Sequence, residues 1–144
     1  MLGSEAILEQ WFRQTLESYP AVTAQFIAGE KDPFRNPVRN TLRTAMESLL
    51  AELQGEMDAR KVRCALDSII RIRAVQDFSP SQAVGFVFLL RPLLLTASAQ
   101  RPAMLQSRID QLALMAFDVY MECREQIKEI RVRESRRATA FRRP

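Results

Sequence analysis

Apolar residues recur along most of this chain at spacings of three and four, which is the period of an amphipathic α-helix. Stripes of this kind occupy residues 4–19, 37–55, 58–75 and 102–130. Pro20 opens a shorter helix that Gly29 ends, and residues 30–36 form a loop because Pro33 and Pro37 prevent a regular helix there. The sequence shows no strand-like alternation. The pattern predicts an all-α domain of five to six helices.

The stretch 75–95, VQDFSPSQAVGFVFLLRPLLL, passes from polar to almost wholly apolar. Ser79 is placed to cap a helix, Pro80 suits its first turn, and Gln82 completes a capping box with Ser79. The helix that follows is apolar on most faces, so we predict that it lies in the core, with a kink or restart at Pro92. Its apolar run is about 15 residues long, which is shorter than the roughly 20 residues that span a bilayer. A membrane anchor is therefore not predicted.

The last helix begins at Pro102 and has two apolar faces. The longer face contains Ile109, Leu112, Ala116, Val119, Cys123, Ile127 and Ile130. A second face contains Leu114, Phe117 and Met121. One apolar face is enough to pack on the chain's own core, so the second face suggests that this helix also packs on another subunit.

The charge is concentrated at the end of the chain. The whole sequence has a net charge of +4, but the last 14 residues, RVRESRRATAFRRP, contain six Arg and one Glu. Such a segment can bind an acidic protein, an anionic lipid surface or phosphates, through Arg131, Arg133, Arg136, Arg137, Arg142 and Arg143. Nucleic acid is not favoured, because only Phe141 is available there to stack on bases. We expect a domain at residues 1–137 and a flexible basic tail at 138–144.

Residues that carry chemistry are scarce. The chain has no histidine, which removes the commonest general base, metal ligand and haem ligand. No phosphate-binding loop, nucleophile elbow or metal-binding spacing is present, so neither an enzyme nor a bound cofactor is expected. Asp77 is interpreted as a helix-entry residue. Cys64 and Cys123 lie on apolar helix faces and are expected to be buried and reduced, as in a cytoplasmic protein.

Aromatic residues leave two possibilities open. Phe78, Phe86, Phe88 and Phe117 could line a pocket for an apolar small molecule, or they could simply fill the core. Function therefore has three candidates at this point: a regulatory domain that binds a protein, a sensor of an apolar ligand, and a binder of anionic surfaces or nucleic acid through the Arg-rich end.

Three stretches of the sequence carry a resemblance to a known family. They are YPAVTAQFIAGEKDPFRNPVRNTLR (19–43), IIRIRAVQDFSPSQAVGFVFLLRPLL (69–94) and RIDQLALMAFDVYMECREQIKEIRVRESRR (108–137). Their order and spacing resemble the N-terminal domain of the RsbRD-type co-antagonist proteins of bacteria, over the full length of the chain. The central stretch is the most specific of the three.

The resemblance implies a globin-like, non-haem bundle related to the sensor domains of stressosome proteins. Such domains pair as dimers, largely through their terminal helices, so we expect a homodimer interface at Ile109, Leu112, Ala116, Val119 and Cys123. Longer relatives carry a C-terminal phosphorylatable domain that is missing here. The chain is therefore expected to be either a fragment of a longer protein or a stand-alone signalling domain that acts on a partner protein in trans, with the Arg-rich end as the expected contact.

Overall fold

The computed structural model describes the backbone of residues 3–97 and 101–142, with the side chains at 97, 141 and 142 excluded. Every element in this part is an α-helix, so the prediction of an all-α domain is confirmed. The helices are α1 (Ser4–Leu16), α2 (Ala21–Gly29), α3 (Pro37–Gln54), α4 (Ala59–Val75), α5 (Pro80–Val84), α6 (Phe86–Ala97) and α7 (Pro102–Arg142). The short α5 and α6 follow each other directly and form one helix interrupted at Gly85, which gives six helices in the predicted sense.

Local sequence signals begin three of these helices. The Asn36 side chain accepts a hydrogen bond from the Arg39 amide at the start of α3, and Asp58 accepts from the amides of Arg60 and Lys61 at the start of α4. The capping box of α5 is also formed, because Ser79 and Gln82 each accept from the other's backbone amide. Each side chain satisfies amide donors that the first turn of a helix leaves free.

The sequence predicts a kink or restart at Pro92, and the helix does not restart there, because its interruption lies at Gly85. α6 runs without a break through Pro92. Proline removes one hydrogen bond and its ring crowds the preceding turn, at a cost of about 3 kcal/mol in a helix interior, and the burial of neighbours such as Leu90, Leu93 and Leu94 offsets that cost. At Gly85 the turn is tight: a Cβ atom there would lie 2.8 Å from the carbonyl oxygen of Ser81. The Phe86 carbonyl beside the interruption accepts from the Trp11 indole at 2.7 Å.

The helices pack around one core. α3 packs on α4, α4 packs on α7, and α6 lies between α1 and α7. Trp11 of α1 stacks on Phe86 with ring centroids 6.0 Å apart. The arrangement fits the globin-like bundle that the resemblance implies. None of the described helices combines the length and the apolar character that a membrane crossing requires.

The structure corrects the predicted dimer interface. Ile109, Leu112, Ala116, Val119 and Cys123 are all buried within a single chain, where α7 packs on α4 and its neighbours. Residues with no exposed surface cannot contact a second subunit unless the domain opens. This longer face of α7 is therefore part of the core.

The end of α7 includes most of the predicted tail. The helix continues past residue 137 to Arg142, so the backbone of residues 138–142 is helical, and the flexibility expected of residues 138–144 stays a prediction. The buried stripe ends at Cys123: Ile127 is half-buried and Ile130 is exposed. From residue 128 onward every described side chain is exposed. After Arg131 the helix extends by eleven residues, or about 16 Å.

Candidate functional site

A buried arginine lies at the centre of the candidate site. Arg73, near the end of α4, is only 1% exposed. Its Nη2 donates to the Ser18 hydroxyl at 3.0 Å and to the Gln82 carbonyl at 2.8 Å. An arginine guanidinium stays charged in proteins, and burying a charge is costly unless it is paired. Arg73 thus carries a positive charge into the interior at the junction of α1, α4 and α5.

Three aromatic rings surround this guanidinium. The ring centres of Phe78, Tyr19 and Phe86 lie 4.6, 5.5 and 5.7 Å from its central carbon. The attraction between a cation and ring faces partly compensates for lost hydration. We call Arg73, Ser18, Tyr19, Phe78, Gln82 and Phe86 the Arg73 cluster.

Burial changes the acid–base properties of the cluster. It lowers the pKa of the Arg73 guanidinium, and the nearby Tyr19 counteracts this. It raises the pKa of the Tyr19 hydroxyl, with Arg73 counteracting. In the described part of the chain, Nε and Nη1 of Arg73 and the Tyr19 hydroxyl have no hydrogen-bond partner. The cluster therefore holds polar groups that the protein itself leaves unsatisfied.

The turn after α4 connects this cluster to the surface. The Asp77 amide donates to the Ala74 carbonyl and the Phe78 amide to the Arg73 carbonyl, which is the Schellman pattern of a helix end. The pattern places Asp77 in the left-handed region, with φ at 60°. Glycine usually occupies this position, and another residue there costs on the order of 1 kcal/mol. Glycine would therefore be more favourable than Asp77 for the backbone conformation at this position.

Contacts with α7 give Asp77 and Phe78 a role beyond the turn. The Tyr120 hydroxyl donates to the Phe78 carbonyl at 2.6 Å. Arg124 Nη1 and Arg131 Nη2 both reach Asp77 Oδ1, at 3.3 and 3.4 Å. The turn thus contacts the buried cluster through the Phe78 ring and contacts the last long helix through its backbone and the Asp77 carboxylate.

The stretches that carry the family resemblance meet at this site. Tyr19 comes from the first stretch, Arg73 and Phe78 come from the second, and Tyr120 and Arg124 come from the third. The sequence pattern does not single out Arg73, although a signal exists. Arg73 follows Ile69 and Ile70 at the spacing of the apolar stripe of α4, which places its side chain on the core face.

The predicted apolar pocket is not formed by its four phenylalanines. Phe78 and Phe86 belong to the Arg73 cluster, where they lie against the guanidinium. Phe88 and Phe117 are about half exposed, and Phe88 lies beside Arg91 on the surface. The four side chains therefore divide between the core and the surface: Phe78 lies in the turn after α4, Phe86 faces the core, and Phe88 and Phe117 lie on the outer sides of α6 and α7.

The second apolar face of α7 lies on the surface. Leu114, Phe117 and Met121 are exposed, with Leu114 at 70%. Arg91 of α6 pairs with Asp110 of α7, one helical turn before Leu114. We call Leu114, Phe117 and Met121 the outer face of α7.

Four of the predicted tail arginines project from the exposed end of α7. Arg131, Arg133, Arg136 and Arg137 are all exposed, and Arg131 also contacts Asp77. Arg142 ends the helix, while its side chain and the whole of Arg143 lie outside the described residues. The exposed end of α7 therefore presents at least these four positive charges to solvent.

The two cysteines lie in different environments. Cys123 is buried as predicted, and burial raises the pKa of its thiol. Cys64 is exposed, which corrects the expectation that it is buried. It lines an open groove of about 470 Å³ between α3 and α4, together with Thr44, Lys61 and other residues.

This difference predicts selective modification by a thiol reagent such as Ellman's reagent. Cys64 should react at once, and Cys123 on the order of 100-fold more slowly, because the reactive thiolate is disfavoured and access requires local opening. A Cys64→Ser variant should lose the fast reaction, and denaturant should expose the second thiol. Two equally fast reactions in the native protein would show that α7 does not stay packed on α4.

Comparison with known proteins adds one finding to this geometry. No curated protein and no solved structure matches the chain significantly. Residues 5–137 match the family described as the RsbT co-antagonist protein rsbRD N-terminal domain, which covers nearly the whole chain and all the residues of the Arg73 cluster. The chain therefore belongs to the family of rsbRD N-terminal domains, which are signalling domains.

Proposed function

We propose that this domain is a non-enzymatic sensory and regulatory module that acts on a signalling protein in trans. A change in the Arg73 cluster moves the turn at residues 76–79, and the turn changes the position of α7. The observation that supports this route is the double contact of the turn. The Phe78 ring packs on buried Arg73, while the Phe78 carbonyl accepts from Tyr120 of α7.

The energetics of the turn suit a switch. The contacts of Asp77 with Arg124 and Arg131 are solvent-exposed, and exposed ion pairs contribute roughly 0–1 kcal/mol. The left-handed backbone of Asp77 opposes them with a cost of similar size. The contributions at Asp77 thus nearly cancel, so a modest input at the cluster would be enough to change the population of a second arrangement of the turn.

The output of the module is the exposed end of α7. Arg131, Arg133, Arg136 and Arg137 give this segment a positive surface that fits an acidic patch on a partner protein. The outer face of α7 supports a homodimer, because three large apolar side chains lie exposed along one side of the same helix. Pairing through the outer face would place two basic helix ends in one assembly and would leave the buried face undisturbed.

An Asp77→Gly variant tests the transmission step. Glycine suits the left-handed position, so the free energy of unfolding should stay within about 1 kcal/mol of the wild type. The contacts from Arg124 and Arg131 are lost, so amide hydrogen exchange in residues 124–135 of α7 should accelerate by about five-fold or more. Native-state exchange read by mass spectrometry measures the effect.

An Asp77→Asn variant is the matched control, because asparagine tolerates the left-handed backbone and keeps an acceptor but removes the charge. It should give an intermediate acceleration. Unchanged exchange in α7 of the glycine variant, in a domain of normal stability, would show that the turn does not control α7.

A further inference from the structure

The buried charge of Arg73 has no counter-charge among the residues that the structure describes. No carboxylate of the described residues lies within ion-pair distance of its guanidinium. Among the described residues, its hydrogen-bond acceptors are the neutral Ser18 hydroxyl and the Gln82 main-chain carbonyl. Buried arginines ordinarily pair with a carboxylate or another anion. The buried positive charge of Arg73 is therefore not neutralised by any group of the described residues.

The unsatisfied groups around this point are all hydrogen-bond donors or can act as donors. Nε and Nη1 of Arg73 are buried without an acceptor in the described part of the chain, and so is the hydroxyl of Tyr19, whose ring lies 5.5 Å from the guanidinium carbon. A guanidinium has two edges that present paired N–H groups, one formed by Nε with Nη2 and one by Nη1 with Nη2. Both N–H groups of Nη2 already donate, to the Ser18 hydroxyl and the Gln82 main-chain carbonyl, so the free donors of the guanidinium are Nε–H and the N–H groups of Nη1.

We propose that the Arg73 cluster binds a small, monovalent oxyanion such as formate, nitrate or bicarbonate. The free Nε–H or Nη1–H groups and the Tyr19 hydroxyl donate to its oxygens, and its charge neutralises that of Arg73. The ring centres of Phe78 and Phe86 lie 4.6 and 5.7 Å from the guanidinium carbon, and these apolar neighbours disfavour a doubly charged ion such as sulfate, because its loss of hydration costs more.

The site lies where a bound anion can affect the position of α7. An anion held at Arg73 lies against the ring of Phe78, whose carbonyl accepts from Tyr120 of α7. This consequence rests on the proposed function and identifies the chemical class of the signal. Binding at Arg73 does not require the transmission step, so the two proposals can fail separately.

The test is a titration of the full chain with sodium formate, sodium nitrate or sodium bicarbonate, with sodium chloride replaced at constant ionic strength. Sodium sulfate is the doubly charged comparison. Two readouts are used: the thermal midpoint and the ¹⁵N NMR signal of the Arg73 Nε–H group. We expect a saturable rise of the midpoint with a millimolar dissociation constant, and a shift of the Nε–H signal that follows the same curve.

Three variants locate the site. Tyr19→Phe keeps the ring and should raise the dissociation constant about ten-fold. Arg73→Met keeps most of the volume and should abolish saturation. Arg63→Met, which removes an exposed arginine paired with Glu122, should bind like the wild type. If Arg73→Met does not fold, the Tyr19→Phe titration and the Nε–H signal decide the question.

Two outcomes would overturn the anion site, and a third would overturn its role in transmission. A linear rise of the midpoint that is equal in all variants would show a general salt effect and overturn the proposal. An Nε–H signal that does not shift with any anion would show that water alone accepts hydrogen bonds from Arg73. That result would also overturn the proposal. Saturable binding that leaves hydrogen exchange in α7 unchanged would confirm the anion site and overturn its role in transmission.

Discussion

Replacing Leu112 with alanine should lower the free energy of unfolding by about 3 kcal/mol, within the range for buried Leu→Ala changes. Leu112 is fully buried on the longer apolar face of α7, so truncation removes contacts and leaves a cavity in the core. Leu114→Ala should change stability by less than about 0.5 kcal/mol, because Leu114 is 70% exposed on the opposite side of the same helix. Urea denaturation of both variants measures the difference.

Repeating the denaturation of both variants at several protein concentrations is the control. The cost of Leu112→Ala should be the same at low and high protein concentration, since the residue packs within one chain. A large loss in Leu114→Ala with a small loss in Leu112→Ala would mean that α7 is rotated by nearly half a turn about its axis. In that case the face first predicted as a dimer interface would again be available to a partner.

The two faces of α7 show what the sequence can and cannot determine. Hydrophobic periodicity correctly predicts the helix and both of its apolar faces, because that pattern is local. It does not say which face contacts the chain's own core. The longer face includes Ala116 and Cys123, which are small residues that allow close packing on α4 over several turns. The length and small residues of this face were the available signal for a core assignment.

Local signals also explain which parts of the central helix are predicted well. The capping box of Ser79 and Gln82 depends on residues three apart, and it forms as the sequence predicts. The effect of Pro92 depends on tertiary packing, which keeps α6 continuous despite one missing hydrogen bond. The interruption instead falls at Gly85, next to the Phe86 carbonyl that accepts from Trp11 of a distant helix.

The Arg73 cluster could be predicted only in part, because the sequence indicates local helix register but not tertiary contacts. The register of α4 indicates that Arg73 faces the core. Its acceptors and aromatic neighbours come from positions such as Ser18 and Gln82, which no spacing in one sequence brings together. The left-handed backbone at Asp77 is likewise invisible in the sequence, because aspartate is uncommon at a position that glycine usually fills.

The second large effect is expected on dimerisation, through substitutions on the outer face of α7. Replacing both Leu114 and Phe117 with aspartate should raise the dimer dissociation constant at least about 100-fold, which corresponds to about 2.7 kcal/mol. Two carboxylates buried in an apolar interface would lose hydration without gaining a partner, and each copy of the chain would contribute both. Sedimentation velocity over a range of protein concentrations measures the change, and urea denaturation checks that each chain remains folded.

The matched control is the double variant Val22→Asp and Phe26→Asp. These two α2 residues are 81% and 52% exposed, close to the exposure of Leu114 and Phe117, and the change adds the same charge. If the wild type is a dimer at tens of micromolar and only the α7 variant dissociates, the outer face is the interface. Dissociation of the α2 variant alone would move the interface to α2, where another pair of exposed apolar residues lies. A wild-type protein that stays monomeric at 100 µM would remove the dimer from the mechanism, and any signal would then have to pass along α7 of a single chain.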